Sequence, residues 1–464
     1  MTKNLVPYPA YKYSGAKWIG EVPDHWEIRP HRSLYTEVIT QDCANEQMLS
    51  VTIAEGVILQ DSLLQGKSQK DSSRIDKSAY KLVCPGDLAY NKMRAWQGAA
   101  GVSTYRGIVS PAYIVQRPCE EVDPSYAHYL LRTPAFAKEA ERWSYGIASD
   151  MWSLRPEHFK MIRASLPPLD EQAAIVRYLD YVDRRVRRYV AAKRKLIALL
   201  EEERQAVIHQ AVTRGLDPNV PLKPSGVEWL GDIPAHWETR RLKTIALLRY
   251  GLGQPPKELS NGLPLIRATN VSRGNILSQD MVYVDPEDVP SARNALLSEN
   301  EIIVVRSGAY TADSALVPRE YAGAVTGYDM VVTVRAALPE FIALTLLSKY
   351  VRDDQLVVES MRSAQPHLNS EELGSALILI PPIGEQTSIA DYLKKATSRI
   401  DTAIARARRQ IELLEEYRTR LIADVVTGKL DVRAAAADLP LEDDDEEPAH
   451  SESGPREAPA VTTG

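Results

Sequence analysis

Three cysteines in 464 residues, Cys43, Cys84 and Cys119, are too few and too scattered to organise a disulfide framework or a metal site. Their odd number and the lack of any CxxC spacing fit free thiols in a reducing compartment. No stretch approaches the roughly 18 apolar residues that a membrane span requires. Met1 to Ser14 alternates polar, aromatic and proline residues where a secretory leader would be charged and then apolar. A cytoplasmic protein is expected. Signatures of covalent chemistry are also missing. There is no GxxxxGK[ST] phosphate loop, and Gly251-Leu252-Gly253-Gln254-Pro255-Pro256 breaks off after two glycines of a dinucleotide fingerprint. No lysine has Asp or Glu two residues before it, which removes the Asp/Glu-x-Lys nuclease pattern, and the eight histidines show no metal-ligand spacing. The Pro-Pro pairs at 167–168 and 381–382 lie in Leu-Pro-Pro-Leu and Ile-Pro-Pro-Ile, so the Asn/Asp-Pro-Pro-Tyr/Phe pocket of amino-methyltransferases has no candidate. We expect no catalytic residue, no metal and no cofactor in this chain.

Composition is that of a globular protein of two to four domains, 44% hydrophobic, with a net charge of −6. The charge is unevenly spread. From Asp438 onward nine acids face Arg456 alone, a net of −8, which leaves +2 on residues 1–437. A near-neutral body is compatible with nucleic-acid binding if its cations cluster on one face. The acidic end, rich in Pro, Ser, Glu and Asp, is expected to be disordered over 433–464. A solubilising appendage is the simpler reading, with a regulatory or DNA-mimicking role as the alternative.

Two stretches are written twice. Ser14 to Glu27 returns as Ser225 to Glu238 with eight of fourteen positions identical, and Pro167-Pro168-Leu169-Asp170-Glu171-Gln172 returns as Pro381-Pro382-Ile383-Gly384-Glu385-Gln386. The segments between these markers keep their length and lose their sequence, so a repeated framework carries two divergent payloads. Each Pro-Pro is followed by helical periodicity. The first stripe is Ile175, Leu179, Val182, Val186, Tyr189, Lys193, Leu196, Leu200, Glu203 and Val207, and the second runs from Ile389 and Leu393 through Ile400, Ile404, Ile411, Leu414 and Leu421 to Val425. Both end in a Val-Thr pair and a glycine stop, Gly215 and Gly428. The expected fold class is α+β: two tandem α+β domains separated by two long helices that form an antiparallel intramolecular coiled coil, with pseudo-twofold symmetry. The boundaries read as framework 1–26, first variable block 27–165, central helix 166–217, framework copy 218–237, second variable block 238–379 and C-terminal helix 380–432.

In each variable block, short β-type runs sit among turn residues, with helical pieces near 124–141 and 338–351. Glu301 to Gly308 occupies the place of Gly86 to Arg94, and Gly323 to Asp329 that of Gly107 to Tyr113. Polar, cationic and aromatic residues collect in loops at these places. Asn91, Lys92, Arg94, Trp96 and Gln97, with Ser110 and Tyr113, combine groups able to bond base edges with a lysine suited to phosphate. In the second block the comparable set is Arg267 and Asn270, then Arg306, Ser307 and Tyr310, then Gln365, His367 and Asn369. A solvated polar loop is the competing reading for each. The basic run Arg184, Arg185, Arg187, Arg188, Lys193, Arg194 and Lys195 either tracks a DNA backbone or is a solvated helix face.

The ordered set of motifs resembles the DNA-specificity subunit of type I restriction-modification systems. The likeness covers roughly 9–432 and rests on the Trp18 to Glu27 segment and its copy at Trp229 to Glu238, the Pro-Pro-x-x-Glu-Gln helix starts, and the Asn91-Lys92-Met93-Arg94 and Ser110-Pro111-Ala112-Tyr113 stretches. The resemblance implies two target-recognition domains, each reading half of a split asymmetric site in double-stranded DNA, with a spacer set by the paired helices. It also implies docking of two methyltransferase subunits that carry S-adenosylmethionine, and of nuclease/translocase subunits that use ATP and magnesium. A methylation-only complex without nuclease is an alternative, and a fused restriction-methylation enzyme a remoter one. The acidic end lies outside the pattern.

Overall fold

The computed structural model describes residues 5–64, 77–146, 152–290, 294–362 and 366–440. The chain divides into two compact units, Met1–Ala191 with Ile411–Gly464, and Ala192–Gln410. Each takes one variable block together with part of the central helix, Leu169–Arg214, and part of the C-terminal helix, Ile383–Val426. The expected disorder does not reach back to residue 433, since Arg433–Ala437 is helical with Ala436 buried, and the acidic run from Glu442 lies outside the described residues.

Each unit is built on a four-stranded antiparallel sheet. In the first, β1 (Tyr35–Glu37), β2 (Leu88–Asn91), β3 (Ala100–Val102) and β4 (Tyr113–Pro118) lie in the order β1-β4-β2-β3. In the second, β5 (Ala246–Tyr250), β6 (Ile302–Val304), β7 (Ser314–Leu316) and β8 (Met330–Val334) lie in the order β5-β8-β6-β7, the same topology. Both central strands are buried on two faces, which is why they read as unbroken apolar runs. Leu88 and Tyr90 join the helical core while Ala89 faces a smaller cluster with Val51, Val83 and Val115. Ile302 and Val304 likewise join the helical core while Ile303 and Val305 face Ile266, Val317 and Val331. The helical pieces are broken by threonine and serine before a new turn. Pro124–Leu131 and Pro134–Arg142 are separated at Thr133, whose side chain caps the second by accepting from the Phe136 N–H. Pro339–Leu346 and Lys349–Val351 are separated at Ser348.

The two repeated motifs meet in both units. In the first, Glu171 is buried at the start of the central helix. It accepts the Trp26 indole N–H at 3.0 Å and the Tyr8 hydroxyl, and it contacts His25 Nε2 at 2.8 Å. In the second, Glu385 accepts the Trp237 indole N–H at 3.1 Å and contacts His236 Nε2 at 2.7 Å. The glutamines beside them tie each helix start to its block. Gln172 accepts the Asp123 N–H at 2.8 Å, and Gln386 the Leu338 N–H at 2.8 Å. The glycine stops close the same junctions in left-handed backbone. Gly428 (φ 78°) lies against Pro23 and Trp26, where a Cβ would overlap the Pro23 ring, and Gly215 (φ 76°) lies against Glu385 and Trp237. His-Trp, Glu-Gln and glycine therefore recur because three chain segments must converge.

Within each unit the two helices pack antiparallel. In the first, Ile175, Tyr178 and Leu179 pack with Leu421 and Val425, and Asp183 pairs with Arg418. In the second, Ile208 and Val212 join Ile389 and Leu393, and Arg204 pairs with Asp401 at 3.1 Å, Glu201 with Arg408 at 3.2 Å. The expected stripe needs correction at two positions. Tyr189 is 40% and Leu196 41% exposed, and Val190 is buried in place of Tyr189. Tyr189 instead receives Arg185 one helical turn away, at 6.0 Å from ring to guanidinium. With Lys193 and Glu203 in the stripe, no continuous apolar seam forms around Leu196. Among the described residues no helix is long and apolar enough to cross a membrane.

Two predictions follow from burial. Glu171→Ala leaves buried indole and phenol donors unpartnered and should cost about 2–4 kcal/mol. Glu385→Ala should cost less, because its side chain is 25% exposed against 3% and lacks a tyrosine partner. Denaturant midpoints of the two variants check the ranking, and equal losses contradict it. His31, fully buried against Tyr35, Phe136 and Phe159, has its pKa pushed down to about 3 by burial. Between the ordinary value of 6.5 and that value the unfolded chain binds a proton that the fold refuses, so stability falls as pH drops through this window. His31→Phe should remove about 2 kcal/mol of the destabilisation seen between pH 7 and 5. An unchanged pH dependence of unfolding in that variant contradicts this assignment.

Candidate nucleic-acid interface

In the first unit the predicted residues gather at one end of the sheet. Tyr113, opening β4, lies opposite Asn91, closing β2. The chain turns immediately after Asn91, whose side-chain oxygen accepts the Met93 N–H at 3.0 Å, and a single helical turn over Ala95–Gln97 ends at Gly98 (φ 93°). Arg94 and Gln97 are exposed by this turn, while Lys92 is half-buried. Trp96 is a brace: its indole N–H donates to the Met93 carbonyl at 3.0 Å, and its ring meets the Trp152 ring at 5.5 Å. Ser110 shapes the turn into β4, accepting the Tyr113 N–H through its carbonyl at 2.9 Å. Burial raises the pKa of the Tyr113 phenol, opposed by the Arg94 charge and by Asn91. Lys81 belongs to the same cationic end. It donates to the Tyr113 carbonyl at 2.8 Å, and its pKa is lowered by burial and by nearby Lys92. Sequence reasoning missed Lys81 and Trp152, since each lies far along the chain from the motif it completes.

The equivalent end of the second sheet is organised around Arg306, just beyond β6. Its guanidinium carbon lies 4.2 Å from the Tyr328 ring centre and 4.7 Å from that of Tyr250. Its Nη2 donates to His367 Nε2 at 3.0 Å, and Ser307 bridges backbone to backbone with His367. Tyr310 is 48% exposed in the loop that follows. Arg267 lies against Gly327 and donates to the Asp280 carbonyl at 2.7 Å. The carboxyl of Asp329, which accepts the Arg306 backbone N–H, is pushed up to about 6 by burial. Tyr250 and Tyr328 were not among the expected residues; an aromatic residue beside a strand end carries no signal until a cation is seen between two of them.

Two expected base readers have other work. Asn270 is fully buried, its oxygen accepting the Arg267 N–H and its amide donating to the Leu277 and Gln279 carbonyls, so it braces a loop from inside. Asn369 caps the helix Ser370–Ser375, its oxygen accepting from Glu371 and Glu372 in a reciprocal box with Glu372. The Asn369-x-x-Glu372 spacing is the signal that identifies this cap. Gln365 lies outside the described residues. Of the basic run on the central helix, Arg187 pairs with Asp183 at 2.7 Å and Arg185 bonds the Tyr181 and Tyr189 hydroxyls, as expected for a helix face that satisfies its own charges.

Comparison with known proteins places this architecture. Residues 234–413 match the type I restriction modification DNA specificity domain. The specificity subunit of the type I restriction enzyme EcoKI from Escherichia coli K12 is 21% identical over 430 residues, covering 89% of this chain and 90% of its own. That of MjaVIII from Methanocaldococcus jannaschii is 22% identical over 354 residues, covering 73% and 78%. A chain solved in work on complex assembly and conformational transition of the type I R-M system shares the fold, with a TM-score of 0.64, 15% identity, and coverage of 88% of this chain and 99% of that one. With the domain match over 234–413 and relatives aligned along most of the chain, the protein is similar to the specificity subunits of type I restriction-modification systems.

Proposed function

We propose that this chain reads a bipartite, asymmetric site in double-stranded DNA, one half with each variable block, and catalyses nothing itself. The observation that carries the reading is the placement of cations. The same strand end of two sheets with one topology presents Lys92 and Arg94 in one unit and Arg306 in the other, on frameworks whose junctions share the same Glu-His-Trp contacts. A scaffold repeated in both units with different residues at its strand ends suits a reader of two different half-sites. Arg94, Gln97 and Tyr113 with Lys92, and Arg306, Ser307, Tyr310 and His367 with Arg267, are the groups assigned to DNA. In this reading the blocks are target-recognition domains, and the paired helices form an antiparallel coiled coil that separates them and sets the spacer. Two methyltransferase subunits dock on the chain and bring S-adenosylmethionine, and nuclease/translocase subunits bring ATP and magnesium, in the cytoplasm.

Exchanging residues 238–379 for the corresponding block of a related subunit tests the modular claim. Methylome sequencing should show one half of the modified motif replaced and the other intact. A change in both halves, or in neither, contradicts it. Asn369→Ala and Asn270→Ala serve as controls in the same assay. Both should leave the motif unchanged, while the lost helix cap costs about 1 kcal/mol and the lost buried brace about 1–3 kcal/mol.

A further inference from the structure

We propose that Arg306 is the specificity-determining cation of the second block, preorganised to donate paired hydrogen bonds to the two acceptors on a guanine edge, with Tyr250 and Tyr328 as positioning residues. The inference rests on the DNA-reading function above and names the base read at that site. Three other arginines of this unit are neutralised: Arg249 by Glu301, Arg352 by Asp313, Arg273 by Glu201. Among the described residues no carboxylate pairs with the Arg306 guanidinium, and its Nε, like that of Arg267, is buried with no hydrogen-bond partner among them. A guanidinium with no carboxylate partner keeps its charge for acceptors from outside, to which its hydrogen bonds are strong.

The surroundings fix its orientation. Rings at 4.2 and 4.7 Å attract the cation and restrict the guanidinium, and Nη2 is held by His367. Arginine has no acceptor, so the His367 nitrogen facing it must be the unprotonated one. Tyr250 is itself pinned, its hydroxyl accepting the Ser370 N–H at 2.8 Å, and it closes β5, where it pairs with Met330 of β8. A guanidinium flanked by rings meets a ligand with its edge. Guanine offers two acceptors, O6 and N7, in one plane, whereas adenine offers an acceptor and a donor, which an all-donor group rejects. Phosphate oxygens have the same acceptor chemistry, so the test separates base from backbone.

The wild-type chain, assembled with its methyltransferase partner, is measured on duplexes carrying its methylated motif with single guanines of the second half-site replaced by 7-deazaguanine, which removes N7 alone. One position should lose binding about tenfold. Arg306→Lys should make that same G:C position degenerate in the methylome, with the first half-site intact. Tyr328→Leu should relax it partly while Tyr328→Phe, which keeps the ring, preserves it. The proposal is overturned if no 7-deazaguanine substitution weakens binding, or if Arg306→Lys lowers methylation evenly with an unchanged motif, the signature of a phosphate contact. A wild-type complex that modifies no bipartite motif would instead overturn the underlying DNA-reading function.

Discussion

One carboxylate in each unit, buried in the first and partly exposed in the second, holds three segments of chain together. Glu171 and Glu385 start the long helices, and each is gripped by the histidine and tryptophan of the framework motif, with a helix-ending glycine packed against the same tryptophan. Hydrogen bonds to a charged acceptor are stronger than neutral ones, and inside a unit little water competes for them. Removing the acceptor strands donors that have no alternative. The junction therefore fixes where a helix begins relative to the sheet beside it, and any device that relies on helix length depends on it. This explains why His-Trp, Glu-Gln and glycine are kept in both copies while the residues between them are not.

The first junction is the more elaborate. Tyr8 adds a hydroxyl to Glu171, Arg433 lies 5.1 Å over the Tyr8 ring, and Asp431 pairs with Arg433 at 2.7 Å. The segment after the C-terminal helix is thereby tied to the beginning of the chain, with the Asp431 N–H donating to the Val6 carbonyl at 2.9 Å. In the second unit the corresponding connection is direct, since Gly215 leads within a few residues into the framework copy. Noncovalent ties in the first unit do what a peptide linkage does in the second.

Much of this was legible in the sequence. The duplicated motifs marked the junction residues, and heptad spacing located helices later found at Leu169–Arg214 and Ile383–Val426. The strand runs at Ile302 and Met330 were legible because burial on both faces leaves an unbroken apolar string. The candidate interface was only partly legible. Lys92 and Arg306 stand out in the sequence because they follow strand ends at matching places, whereas Asn270 braces a loop and Asn369 caps a helix, roles that an amide suits as well as an adenine edge. Tyr250, Tyr328 and Lys81 went unseen because each acts through a neighbour distant in sequence. Tyr189 and Leu196 show the limit of periodicity: spacing alone does not say which of two adjacent positions turns inward when polar residues interrupt the stripe.

The central claim is that the paired helices measure the gap between two independently read half-sites. Inserting seven residues between Leu196 and Leu200 preserves heptad phase and adds about 10 Å of helix, an upper bound of about three base pairs at 3.4 Å each. Mapping methylated adenines in cells carrying the insertion is the most direct test. The account predicts unchanged half-site sequences with a longer unspecified gap between them. An active complex that methylates sites with the original gap would contradict it.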